Sequence, residues 1–233
     1  MQPAHPPARL TEQAYNAILD DICDGTLPAG THLVQEQLAA ALGISRQPVQ
    51  QALALLKADG MVAEVGRRGL AVTPLDMTLV RHHYEIRAAL DGVAAGAAAR
   101  QCRAGAAPGF VAAAEAILRA GAAAIAADAV AAQLRHDAAL HALIYTTSAN
   151  PLIARAAAPH WRFLRRAMGE VLRQAEPPRV IWDQHAEMVA AIAAGPPERA
   201  EALAVAHAAH AANALAAAVA EIPPGRDRPS RAA

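Results

Sequence analysis

Apolar residues recur at helical spacing near the start of the chain. The first stripe consists of Leu10, Ala14, Ile18 and Ile22. These residues are four positions apart, so their side chains lie on one face of a helix, and Gly25 then favours the end of that helix. The pattern therefore predicts a helix over 11–24. After a turn at Pro28-Ala29-Gly30, a second and shorter helix is predicted over 35–41.

A third helix is predicted to begin at Ser45, a favourable N-cap, and to end at about Asp59, just before Gly60. Its apolar stripe consists of Val49, Leu53 and Leu56. Two short strands are predicted over 61–65 and 70–72, joined by a hairpin turn. Three helices followed by a β-hairpin, with a tight turn at Gly43 before the third helix, predict a winged helix-turn-helix.

After Thr73-Pro74-Leu75-Asp76 the pattern is helical almost without interruption. Proline and glycine residues divide it into six predicted helices, over 77–102, 109–122, 127–147, 150–174, 178–194 and 197–221. This part has no strand pattern, which predicts an all-α bundle. The predicted fold is mainly α, with a winged helix-turn-helix over 9–74 and a helical domain over 77–221. The two ends, 1–8 and 223–233, are predicted to be loose tails.

Composition narrows the class of protein. The chain has 233 residues, 55% of them apolar, so it can bury a core. Lys+Arg and Asp+Glu both number 21, which excludes a globally basic nucleic-acid binder but not a local basic surface. Residues 9–74 include five basic and seven acidic residues, a net charge of −2. This charge also fits a winged helix that binds protein. With two cysteines, no signal peptide and no convincing membrane span, a cytoplasmic protein without membrane partners is expected.

The start of the third helix carries the side chains expected to read DNA. A recognition helix contacts base edges near its N-terminus, where this chain has Ser45, Arg46, Gln47 and Gln50. Arg46 could bind a guanine through two hydrogen bonds, and the glutamines could read adenine or contact phosphate. Arg67 and Arg68, at the tip of the hairpin, would contact the DNA backbone or the minor groove.

Several histidines of the helical domain have spacings that suit a metal site. Asp137 and His141 are four residues apart and share one helix face, while His185 and His207 lie on later helices. A carboxylate and three imidazoles projecting into a bundle core would bind a first-row transition metal and leave two octahedral positions open. A surface pair or hydrogen-bonded core histidines would give the same spacing, and the chain has ten histidines.

The first domain resembles the DNA-binding region of GntR-family bacterial transcription regulators. The resemblance rests on Leu33, Leu38-Ala39, Leu42-Gly43-Ile44-Ser45-Arg46, Pro48-Val49, Ala52-Leu53, Leu56 and Asp59-Gly60, with Gly25, Leu27 and Gly30 upstream. This chain departs from the family where Arg-Glu usually follows Pro-Val, because Gln50-Gln51 stands there. An atypical operator, and weaker binding, are expected from the loss of that arginine.

The second domain resembles the FCD effector domain of the FadR-like GntR subfamily. The resemblance rests on three segments: Asp137-x-x-Leu140-His141 with Ser148-Ala149-Asn150-Pro151, Gln184-His185-x-x-Met188-Val189, and Ala200 to His207. It implies Asp137, His141, His185 and His207 as ligands of a divalent metal, with zinc first and nickel or manganese as alternatives.

The resemblance also bears on the binding of an effector. Arg87 lies in Tyr84-Glu85-Ile86-Arg87, which is similar to a segment whose arginine faces the effector cavity in the family. Arg87 could clamp an effector carboxylate, or it could form an i, i+4 ion pair with Asp91. His210 could line the same pocket. Of Arg162, Arg165 and Arg166, one could reach the pocket, but a solvated face is expected for most of them.

These observations together predict a homodimeric transcription regulator that binds a palindromic double-stranded operator. A small organic acid is expected to bind at the metal, with Arg87 as its counter-charge, and to release the protein from DNA, as is common among repressors of the family. The alternatives are a regulator that senses the metal itself, a metal-dependent hydrolase, or a helical domain that only dimerises. An enzyme is not expected, because no general base is evident beside the ligands and a DNA-binding module is an odd partner for hydrolysis.

Overall fold

The structure is a computed structural model, and it describes residues 7–66, 69–172 and 179–220. Most of the two predicted tails therefore lies outside the described residues, as do Arg67 and Arg68 at the tip of the hairpin. The described residues form two compact units. The first contains the residues up to Val80 together with Ala158–Glu170, and the second contains Arg81–Ala157 and the residues from Val171 onward.

The first unit has the predicted winged helix-turn-helix order. Its elements are α1 (Pro7–Asp24), α2 (Gln35–Leu42), α3 (Arg46–Ala58), β1 (Val62–Val65) and β2 (Gly69–Val72). The strands pair antiparallel, with Val62 opposite Val72, and His32 forms an isolated bridge with Ala71. The predicted stripe of α1 is buried at Ala14, Ile18 and Ile22, and that of α3 at Val49, Leu53 and Leu56.

Two predicted signals surround the start of α3. Gly43 ends α2 with a φ of 65°, a left-handed conformation that glycine adopts without steric cost. Ser45 lies at the N-cap of α3 as predicted, but its side chain makes no capping hydrogen bond. Ser45 is exposed, and so are the three side chains predicted to read bases.

The described part of the second unit is built from helices, as predicted. The helices after β2 are α4 (Met77–Arg103), α5 (Phe110–Ala126), α6 (Val130–Thr147), α7 (Pro151–Leu172), α8 (Arg179–Ala194) and α9 (Pro197–Ala220). The turn before α7 is fixed by Asn150, whose Oδ1 accepts a hydrogen bond from the amide of Leu152 at 3.1 Å. Asn150 therefore caps α7.

Helix α7 differs from expectation along its second half. Ala158–Glu170 belongs to the first unit, although this segment lies far along the chain. Phe163, Leu164 and Ala167 are buried there, and Arg166 is only 2% exposed. The predicted solvated face of arginines is thus wrong for Arg166.

Helix α9 is both long and apolar. By length and composition, Pro197–Val219 could cross a membrane, with a mean hydropathy of 1.4 and only 22% of its most apolar stretch buried. One face of this helix is packed, with Ala200, Ala204 and Ala208 buried beside His207. The other face is exposed and includes Val205 at 40% exposure beside the exposed Glu198 and Glu201.

Candidate metal centre

The structure brings four sequence-predicted residues of the second unit together. One nitrogen or carboxylate oxygen from each of Asp137, His141, His185 and His207 lies within 4.8 Å of the corresponding atom of every other member. The three histidines are buried, and the side chain of Asp137 is 13% exposed. The cluster combines residues from α6, α8 and α9, so it exists only once these helices have packed.

Local packing explains how each helix reaches the cluster. Asp137 and His141 are one helical turn apart on α6, and therefore project in the same direction. On α8, Trp182 lies edge-on to His185, with ring centres 5.0 Å apart, and its indole packs on Gly121 of α5. A β-carbon at Gly121 would come within 2.0 Å of that indole, so a larger residue there would displace α8.

The separations within the cluster suit a metal ion. His185 Nε2 lies 3.3 Å from Asp137 Oδ1 and 3.1 Å from His207 Nε2. Ligands bound to zinc at about 2.0–2.2 Å stand roughly 3 Å from one another, so these spacings fit a shared ion. Among the described residues, Asp137 Oδ2 and His185 Nδ1 are buried without a hydrogen-bond partner. A buried carboxylate oxygen that lacks a partner is costly, and a cation nearby would offset that cost.

The electrostatic state of the cluster also favours a cation. Burial, with the nearby Arg87 charge, lowers the pKa of His141 well below its usual value. Burial and the neighbouring His185 do the same for the pKa of His207. Burial raises the pKa of Asp137, but the hydrogen bond and charge of His185 lower it by more, so the net shift is downward. A neutral His141, a neutral His207 and an ionised Asp137 are in the protonation states that bind a divalent metal.

Three further residues orient the cluster, and sequence reasoning did not assign them to this task. Asp91 accepts hydrogen bonds from Arg87 Nε at 3.0 Å and from the Tyr145 hydroxyl, and its Oδ2 is 3.5 Å from His141 Nδ1. Gln184 Oε1 lies 3.1 Å from His207 Nδ1. An amide oxygen on Nδ1 fixes the His207 ring and leaves its Nε2 for a metal. The sequence carried a signal for Gln184, which directly precedes His185 in the motif.

The two residues predicted to bind an effector have different locations. Arg87 is 1% exposed, and its Nη2 lies 2.8 Å from His141 Nε2, so it borders the cluster. It also forms the i, i+4 ion pair with Asp91 that the sequence offered as an alternative. Burial lowers the pKa of Arg87, but Asp91 and Asp137 raise it by more, so the guanidinium is charged. His210 is exposed and lies outside the group of four.

The DNA-reading candidates lie on the surface of the first unit. Ser45, Arg46, Gln47 and Gln50 are all exposed at the start of α3. Arg46 Nη2 forms a salt bridge with Glu36 Oε1 of α2 at 2.9 Å, with both side chains more than half exposed. Such a pair contributes about 1 kcal/mol or less, so it does not prevent Arg46 from binding a base or a phosphate.

Comparison with known proteins identifies the family. The FCD domain model matches residues 82–210, and the model for bacterial regulatory proteins of the gntR family matches residues 10–72. This chain is a GntR-family regulator with an FCD domain. Its winged helix-turn-helix is the family's DNA-binding domain, and the four clustered residues lie in its FCD domain.

Curated relatives match about a third of this chain. An uncharacterized HTH-type regulator from the TAR-I ttuE-ttuC' intergenic region of Agrobacterium vitis is 35% identical over 82 residues, which is 35% of this chain and 48% of that protein. The HTH-type transcriptional repressor RspR of Escherichia coli is 30% identical over 87 residues, 37% of this chain and 38% of RspR. The chain thus matches half or less of the length of these relatives.

Solved structures share the fold over most of the chain. E. coli McbR/YncC superposes with a TM-score of 0.78 and 19% identity, covering 89% of this chain and 97% of that one. A putative GntR regulator from Rhodococcus sp. RHA1 gives a TM-score of 0.71 and 20% identity, covering 91% and 99% of the two chains. At this level of identity the likeness establishes the fold alone.

Proposed function

We propose that this chain is a ligand-responsive transcription regulator, a repressor that leaves its operator when a small carboxylate binds at a metal site in the FCD domain. One observation carries the proposal: three buried histidines and an aspartate converge in the effector domain of a chain that also has an exposed recognition helix. The E. coli relative RspR is named a repressor, which supports the proposed direction of regulation.

On the DNA side, the proposed contacts begin with Ser45, Arg46, Gln47 and Gln50 at the start of α3. Arg67 and Arg68 are proposed as backbone or minor-groove contacts of the wing. A homodimer would present two such helices to the half-sites of a palindrome, one helical turn apart. Because its target would be chromosomal DNA, the proposed location is the cytoplasm, and no membrane partner is proposed.

At the effector site, Asp137, His141, His185 and His207 are proposed to hold a divalent ion, zinc first and nickel or manganese as alternatives. Such an ion would supply positions that a carboxylate oxygen can occupy. Arg87 borders the cluster with its guanidinium held by Asp91, so it is the proposed counter-charge for the acid. His210 is exposed and would take part only at the edge of such a pocket.

For self-association we propose the exposed apolar surface of α4 and α9. Ile86 and Val93 on α4 are 48% and 51% exposed, and Val205 on α9 is 40% exposed. The helices approach closely there, since a β-carbon on Gly92 would come 2.8 Å from Val205 Cγ2. A second copy of the chain would cover this surface, and Val205→Glu is expected to shift sedimentation from dimer to monomer.

Elemental analysis tests the metal site. Protein purified without chelators or nickel resin should carry about one transition metal per chain, and Asp137→Ala/His185→Ala should carry none. His210→Ala, which alters an exposed histidine of α9 outside the cluster, is the matched control and should retain the metal. Metal-free wild-type protein that also fails to bind added zinc would refute the site. Trp182, beside His185, offers a second readout through its fluorescence.

DNA binding separates the proposal from its alternatives. Wild-type protein should enrich a palindromic sequence from a random duplex library, and small hydroxy acids or dicarboxylic acids should weaken that complex only when the metal is present. Release of the protein from DNA by zinc alone would favour a regulator that senses the metal itself. The four proposed protein ligands also fit that alternative. A complex that responds to neither metal nor acids would leave the FCD domain as a dimerisation domain. We propose no enzymatic activity, and metal-dependent hydrolysis that Asp137→Ala abolishes would contradict this.

A further inference from the structure

Arg162 of α7 binds the end of the recognition helix within the first unit. Its Nε and Nη2 donate to Oδ2 and Oδ1 of Asp59 at 3.1 and 3.2 Å, a two-pronged contact with the residue that ends α3. The hydroxyl of Tyr15 on α1 donates to the same Asp59 Oδ2 at 2.5 Å, and the Arg162 guanidinium lies 5.9 Å from the Tyr15 ring centre. Arg162 thus holds α1 and α3 together.

Arg166, one turn further along α7, binds the end of the wing. Its Nη1 donates to Thr73 Oγ1 at 2.8 Å and its Nη2 donates to the Thr73 carbonyl oxygen. Thr73 in turn contacts the turn between α3 and β1, because its hydroxyl donates to the Gly60 carbonyl at 2.8 Å and its amide to the Met61 carbonyl at 3.1 Å. Both arginines therefore act on the turn Asp59-Gly60-Met61.

Helix α7 contains a proline just before these arginines. Its first residues, Pro151–Ala157, belong to the second unit, and Ala158–Glu170 belongs to the first. Pro159 lies inside the helix at this change. Proline has no backbone N–H and crowds the carbonyl four residues earlier, so α7 loses one helical hydrogen bond at this point.

We propose that α7 is the lever through which the FCD domain acts on the DNA-reading helix. Arg162 and Arg166 are positioning residues that hold the C-terminal end of α3 and the base of the wing, and Pro159 is the hinge of the lever. The regulatory meaning rests on the proposed function, whereas the positioning of α3 does not. A displacement of α7 would act on α3 and the wing together, since both contacts meet at one turn.

Amide hydrogen exchange tests the positioning directly. Asp59, Gly60 and Met61 donate backbone hydrogen bonds to Leu55, Lys57 and Leu56. Arg162→Met and Arg166→Met keep the length of the side chain and remove its donors, so exchange of these three amides and of Thr73 should accelerate about tenfold. Arg162→Lys keeps the charge and should restore part of the protection. Wild-type exchange at these amides in both methionine variants would overturn the proposal.

Arg165→Met is the matched control. Arg165 lies on the same helix and pairs with Asp20 of α1 at 2.5 Å, and the Asp20 side chain is more than half exposed. Its loss should change exchange of Asp59, Gly60 and Met61 by less than about twofold, because exposed pairs contribute little. An Arg165→Met effect as large as that of Arg162→Met would contradict a role specific to the two positioning arginines.

The regulatory step is tested with zinc alone as the probe. In wild-type protein, zinc should change exchange at Asp59, Gly60 and Met61, and the Arg162→Met/Arg166→Met variant should lose that response while still binding zinc. Pro159→Ala, which restores the missing backbone donor, should also alter the response. Zinc binding with the same response in the double variant would refute the lever. If wild-type protein binds no duplex while the exchange pattern holds, the proposed function fails and the positioning role stands.

Discussion

The start of α3 and the candidate metal centre both contain polar side chains, but these side chains are exposed at α3 and buried in the centre. The side chain of Arg46 at the start of α3 is 66% exposed, whereas that of Arg87 beside the four clustered residues is 1% exposed. Arg46 has one salt bridge in water, and it can exchange that partner for a DNA phosphate or base at small cost. Arg87 is held by Asp91 and His141. Because its charge is buried, a substitution that removes one of these partners leaves that charge without compensation.

Because of this difference in exposure, we expect substitutions in the two regions to have different effects on binding and on stability. Substitutions among exposed DNA-reading residues should change the affinity for DNA and leave the fold intact. Substitutions in the buried cluster should change the free energy of unfolding as well as ligand binding, because each removed partner leaves another polar group buried alone.

Paired arginine substitutions give the largest contrast. Arg87→Met should lower the free energy of unfolding by about 3–5 kcal/mol, because the Asp91 carboxylate would remain buried without its cation. Arg46→Met should lower it by about 0.5 kcal/mol or less. Urea unfolding measures both values. Equal losses in the two variants would show that burial does not separate the regions.

Acid should destabilise the buried histidine cluster before it affects the exposed start of α3. His141 and His207 have pKa values well below the usual 6.5 in the folded protein, so below that pH the unfolded chain binds protons that the folded chain does not. The stability of chelator-treated protein should therefore fall as pH drops below 6.5, by up to about 1.4 kcal/mol per pH unit for each histidine.

Urea unfolding at a series of pH values checks this slope. His207→Gln removes one of the two protonation events and should reduce the slope by about half. Asp137 adds a further loss only at lower pH, since its folded pKa lies below its usual value of 3.8. Constant stability between neutral pH and pH 5 would contradict buried neutral histidines.

Arg46 should matter for DNA rather than for folding. Arg46→Ala should weaken binding to the selected operator by about 1–3 kcal/mol and relax the base preference at one position of each half-site. Fluorescence anisotropy with matched and substituted duplexes measures both effects. An equal loss of affinity for all duplexes would instead indicate that Arg46 contacts a phosphate.

The smallest expected difference in stability is between substitutions at the N-caps of α7 and α3. Asn150→Ala removes an Oδ1 that accepts from the amide of Leu152, and should cost about 1 kcal/mol of stability. Ser45→Ala removes no capping hydrogen bond and should change stability by a few tenths of a kcal/mol at most. Thermal unfolding compares the two. A larger loss for Ser45→Ala would mean that its hydroxyl does cap α3 in solution.

Sequence reasoning predicted well where the relevant contacts are local. Helix periodicity and the glycine and proline signals gave the order of helices and the hairpin, because these patterns depend on residues within a few positions of one another. The ligand set came from family motifs, and its convergence in the structure agrees with that assignment without testing metal binding. Arg87 and Asp91 also share a helix, so their ion pair was among the alternatives.

Helical periodicity, the turn at Gly43 and the motif residues could be predicted from the sequence, because each is encoded within one helix or turn. The roles of Asp91, Tyr145 and Gln184 beside the cluster, and of Arg162 and Arg166 at the end of α3, became evident only in the folded chain. Arg162 and Asp59 are 103 positions apart, and Arg166 and Thr73 are 93 positions apart. No local pattern predicts such pairs, because they form only when packing places distant helices side by side and buries their polar groups.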